Sequence, residues 1–137
     1  TLHRPAKADA RAVLMKLRDR GIRTALVCNC LSGDAARRQM KLDGLSGLLD
    51  VELFSDETGL RKPNPGFVLA AVDALGVSAD EAWFVGDKFN RDVLGARRAG
   101  LAKALLMSSP AGPGNAVRGI VPDVVIDSPT DLLALIT

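Results

Sequence analysis

Short apolar runs alternate with helix-period segments along the whole chain, and this alternation limits the fold more than any other feature. Residues 7–20 (KADARAVLMKLRDR) place Ala10, Val13, Leu14 and Leu17 at helical spacing, with Gly21 as the stop. A strand is predicted at 22–28 (IRTALVC), a helix at 33–43 ended by Gly44, and a strand at 51–54 (VELF). The next helix covers 65–75, with Asn64 as N-cap, Pro65 at its first position and Gly76 after it. There follow a strand at 82–86 (AWFVG), a helix at 91–99, a strand at 102–107, a loop at 108–119, a strand at 124–126 and a helix at 129–136. This order predicts an α/β fold with a mostly parallel sheet and helices on both faces.

At 137 residues the chain suits a single domain, 1–137, with no internal repeat or linker. Eighteen basic and sixteen acidic residues leave a net charge of +2, so no nucleic-acid partner is expected. Arg37-Arg38 and Arg97-Arg98 read as solvated helix faces. No membrane span and no signal-peptide pattern are visible. Cys28 and Cys30 stand two apart, with His3 the only histidine. On a strand they lie near the upper distance limit for a disulfide, and a zinc site lacks ligands. Two reduced thiols in a cytoplasmic protein are expected.

In open α/β sheets ligands bind beyond the carboxyl ends of strands. Three polar clusters fall there. Asp87 follows the apolar run Trp83-Phe84-Val85-Gly86, which reads as a covered central strand. Asn90 is a candidate N-cap, placing Asp92 in the next helix's first turn. The two acids form a hard-cation site, or else Asp92 complements a helix dipole and Asp87 ends a strand. Lys62, before Pro63 and a helix N-terminus, makes an anion pocket or a solvated turn lysine. Asn29, past the strand end, is an oxyanion donor or a turn residue.

Together, "VCNC", "GLRKPNPGFVLAAVDALGV" and "WFVGDKFNRDVLGARRAGL" resemble the haloacid dehalogenase-like (HAD) superfamily, in its phosphatase-like branch with a helical cap. The resemblance implies a Rossmann-like three-layer sandwich. It makes Lys62 the catalytic lysine that offsets phosphoryl charge, and Asp87 and Asp92 the Mg²⁺ ligands. Cys28 and Asn29 fall at the phosphate-binding strand end. Small residues Gly95, Ala96, Ala99 and Gly100 are expected to let their helix approach the sheet.

Two departures stand out. Cys28 occupies a position where Thr or Ser is expected; a thiol donates weakly, and a thiolate would repel phosphate. No Asp-x-Asp, the family's nucleophile motif, occurs in the sequence. The chain therefore reads as the C-terminal core of a Mg²⁺-dependent phosphatase of a small phosphorylated metabolite, without first strand and cap and inactive alone. Haloacid dehalogenation fits the acid pair less well. The alternative is a non-catalytic binding or assembly module, or half of a split enzyme. The family's strand order puts the first strand between 22–28 and 82–86. Those strands are expected either to close up and pair, or to admit a strand from a complementing N-terminal half or a second copy.

Overall fold

The structure is a computed structural model; it describes the backbone of residues 5–136 and side chains from Asp9 to Ile136. His3 lies outside the described residues. The helices are α1 (Pro5–Asp19), α2 (Gly33–Leu42), α3 (Ser55–Thr58), α4 (Pro65–Leu75), α5 (Leu94–Ala99) and α6 (Thr130–Leu135). The strands are β1 (Ala25–Cys28), β2 (Val51–Phe54), β3 (Trp83–Gly86), β4 (Lys103–Met107) and β5 (Val124–Ile126). All pairings among them are parallel, as the alternation requires.

The strands form two sheets, β1-β2 and β3-β4-β5. The expectation that the strands at 22–28 and 82–86 pair directly is overturned. A cleft of about 1040 Å³ separates β1 from β3, lined by both strands and by the inward faces of α1, α4 and α6. The physical reason is α4, which packs on β1, on β2 and on α5. Its Phe67, Val68, Ala71 and Val72 are buried. Closing the cleft would drive that filled core out of register.

Every residue of β1 and of β3 is only half-buried. Trp83–Gly86 is therefore not the covered central strand its sequence suggests. That role falls to β4, whose Ala104, Leu105 and Leu106 are buried. Asp123 supports β4's start by accepting from the Ala104 N–H at 2.7 Å, with Arg97 3.0 Å away.

Local chemistry explains where elements begin and end. Asn64 caps α4 by accepting from the Gly66 N–H at 2.8 Å, and Gly76 ends it at φ 73. β1 starts at Ala25 rather than at 22, because the Ile22 N–H bonds back to Leu17 O and belongs to the C-terminal turn of α1. The predicted helix at 91–99 is α5 preceded by a π-helical turn, Phe89–Val93. Asp92 N and Val93 N both donate to Lys88 O. Asn90 thus lies inside the turn and Lys88 takes the N-cap position. Of the four small residues expected to bring α5 close, Ala96 and Ala99 are buried and Gly95 faces Pro63 and Val68. Gly100 instead ends the helix at φ 74 with open space around it.

Candidate functional site

The three polar clusters meet at the end of the cleft formed by the carboxyl termini of β1 and β3, where Cys28, Asn29, Lys62, Asp87 and Asp92 all line it. Each is delivered by a different local device. Cys28 is the last residue of β1, and Asn29 follows it. Both ends of the Asn29 amide grip the backbone of Lys62: Oδ1 accepts from Lys62 N at 2.9 Å and Nδ2 donates to Lys62 O at 3.0 Å. The next residue is pinned as well, since Cys30 N donates to Ser55 Oγ at 2.9 Å and Ser55 Oγ donates to Cys30 O at 3.0 Å. Asn29 is thus a clamp; one N–H of its amide is left for a ligand.

Lys62 lies just before α4, and its side chain crosses the end of the cleft. Its ammonium donates to Val27 O at 2.7 Å and stands 2.9 Å from Asp92 Oδ1. The face of Phe84 lies 5.5 Å away. Lys62 is therefore neither a freely solvated turn lysine nor an open anion hook. It is a nearly buried cation held between β1 and the turn after β3.

Asp92 is 3% exposed. Its Oδ2 accepts from the N–H groups of Asp87 and Lys88, both at 3.1 Å. Its Oδ1 is sealed from solvent and accepts no directed hydrogen bond. The contact with Lys62 is close enough for an ion pair and too poorly aligned for more. Gly86 makes this fold-back possible: a Cβ there would fall 2.3 Å from Asp92 Cβ and Cγ. The glycine is required by close approach rather than by its backbone angles.

Asp87 Oδ2 accepts from Ser109 Oγ at 3.1 Å, from the loop after β4. Spacing gave no signal for Ser109, because the contact spans a strand and a loop. No described residue donates to Asp87 Oδ1. Each acid thus keeps one oxygen without a directed hydrogen bond. Among the described residues no group of three or more His, Cys, Asp or Glu stands ready for a metal. The two carboxylates fit a hard cation as far as they go, since both are oxygen donors, and the buried Asp92 oxygen that accepts no directed hydrogen bond is held only by the Lys62 ion pair.

Burial raises the Cys28 thiol above its ordinary value, and the neighbouring Cys30 thiol adds to the rise against the pull of Lys62. Cys28 is therefore a neutral thiol at pH 7, and charge repulsion of a phosphate by a thiolate does not arise there. Both cysteines are free.

The model of the haloacid dehalogenase-like hydrolase family matches residues 1–100. The glyceraldehyde 3-phosphate phosphatase of Methanopyrus kandleri is 32% identical over 131 residues, 93% of this chain and 55% of that protein. The phosphoserine phosphatase of Thermus thermophilus is 38% identical over 97 residues, 71% of this chain and 39% of that protein. This chain spans about half the length of these relatives, or less. YfnB of Bacillus subtilis, whose crystal structure was solved bound to magnesium, superposes with a TM-score of 0.80 at 21% identity, over 92% of this chain and 54% of that one. That likeness is one of fold. The parallel α/β architecture and the matched family model agree, and the chain belongs to the haloacid dehalogenase-like hydrolases, among the phosphatase-like members of that superfamily.

Proposed function

We propose that residues 1–137 are a partial core domain carrying the charge-handling part of a Mg²⁺-dependent phosphomonoester hydrolase, acting on a small phosphorylated metabolite in the cytoplasm. The observation that carries this reading is the Lys62–Asp92 pair, fixed between the end of β1 and the turn after β3 beside Asp87. Phosphoryl transfer depends mainly on positioning and charge stabilisation. In this reading Lys62 offsets the negative charge of a phosphoryl group, while the amide of Asn29 and the thiol of Cys28 face its oxygens. Asp87 and Asp92 would hold Mg²⁺, whose contribution when bound is to neutralise phosphate charge.

The nucleophilic aspartate comes from a strand seated in the cleft between β1 and β3, supplied by a complementing segment; a second copy of this chain could fill the cleft but brings no Asp-x-Asp. Exposed strand edges with apolar flanks favour such an addition. The test mixes this chain with a fragment that carries a strand bearing Asp-x-Asp. Hydrolysis of p-nitrophenyl phosphate by the mixture, lost in Lys62→Met, supports the reading. A mixture that binds tightly and never turns over favours the second reading, a non-catalytic assembly module, which the apolar cleft also suits. Neither binding nor turnover overturns both.

A further inference from the structure

Ser109 sits in the Pro/Gly-rich loop after β4, yet its hydroxyl reaches Asp87 Oδ2 at 3.1 Å. The loop that carries it is fastened to the turn after β3. The Phe89 N–H donates to Pro113 O at 2.8 Å. The ammonium of Lys88 donates to the carbonyls of Gly112 and Ala111. Gly114 packs so closely that a Cβ would fall 2.6 Å from Asn90 Oδ1. Segment 109–114 is thus strapped onto 87–90, and Ser109 is a fixed donor rather than a passing one.

The strap also decides where charge is placed. Lys88 directs its ammonium at loop carbonyls, not at the adjacent carboxylate. The side-chain donor to Asp87 is then a neutral hydroxyl, which orients the group without cancelling its charge. With Oδ2 held, Oδ1 is left as the ligand position. We propose that Ser109 is a positioning residue that presets the Asp87 carboxylate for a divalent cation. This rests on the Mg²⁺ reading given above. Hydrogen-bond partners that orient metal-ligating carboxylates typically affect metal affinity by roughly 10–100-fold.

The test titrates the full 137-residue chain with Mn²⁺, a cation that carboxylates also bind, and counts free ion by electron paramagnetic resonance. Ser109→Thr, which keeps the hydroxyl, should bind like the native chain. Ser109→Val has the same shape as threonine without the hydroxyl and should bind about ten-fold more weakly. Ser108→Ala, which removes only a bond to Asp127, should leave binding unchanged. Thermal unfolding of all four proteins establishes that each is folded, and the Thr/Val comparison cancels any effect of side-chain bulk. Equal Mn²⁺ affinity in the Thr and Val variants overturns the role of Ser109 and leaves the metal reading standing. Binding is expected to be weak, so the titration extends to millimolar Mn²⁺; a native chain that binds none even there overturns the metal reading and this role with it.

Discussion

The ammonium of Lys62 stands 2.9 Å from Asp92 Oδ1 while donating to Val27 O, so one side chain ties β1 to the turn after β3. This pair spans the end of the cleft and links two sheets that share no backbone pairing. Removing either member should be felt in both halves of the fold. Asp92→Ala leaves a nearly buried ammonium unpaired and orphans two N–H groups, a loss of about 3–5 kcal/mol. Urea denaturation should show the midpoint falling further in Asp92→Ala than in Lys62→Met, where Asp92 keeps its two backbone donors. The reverse order would contradict this account.

Gly86→Ala should destabilise although its backbone angles suit alanine. The new methyl would fall on Asp92 Cβ and Cγ, at 2.3 Å. Overpacking of this kind costs about 1–3 kcal/mol. Thermal unfolding measures it, and Gly86→Ala should cost less when it is made in an Asp92→Gly background, where the methyl has room. If the double variant is no better than the sum of its parts, the clash is not the cause.

Cys28 gives a pH dependence with a definite sign. Burial and Cys30 raise its thiol in the folded state above the ordinary value of 9.0. The neutral form is favoured by folding, so its contribution is fully present below the unfolded value and fades as pH rises through the folded one. Stability should decline above about pH 9 more steeply in the native chain than in Cys28→Ser. Equal alkaline slopes would count against the raised thiol.

The 137-residue chain alone should not hydrolyse p-nitrophenyl phosphate, because a covalent route needs a nucleophile and no Asp-x-Asp is present. Turnover by pure material that disappears in Asp87→Ala would require another nucleophile.

Affinity for Mg²⁺ should be weak for the same chain. Two carboxylate oxygens supply only part of the near-octahedral set that Mg²⁺ demands. Calorimetry reporting micromolar affinity would be the wrong result for this site.

Local rules determined much of this protein. The bounds of α4 follow from Asn64, Pro65 and Gly76, whose capping and termination act within a few residues. Strand identities follow from short apolar runs, and parallel pairing follows from their alternation with helices. The three clusters, with Asp87, Asp92, Lys62, Asn29 and Cys28, were legible because strand ends in such folds converge.

Tertiary structure decided the rest. The apolar run at Trp83–Gly86 has the pattern of a covered strand, but its exposure depends on a neighbour that no local pattern specifies. The π-helical turn at Phe89–Val93 depends on Asp92 folding back under Gly86 to reach two N–H groups. Ser109 meets Asp87 only because parallel pairing of β3 with β4 brings their ends together and the strap holds the loop down. Asn29 could donate to an oxyanion or hold a turn; the position of the Lys62 backbone, thirty-three residues away, made it a clamp. A sequence records which side chains can bond. Which of them meet is set by packing across sheets, where α4 packs on β1 and β2 on one side and on α5 on the other.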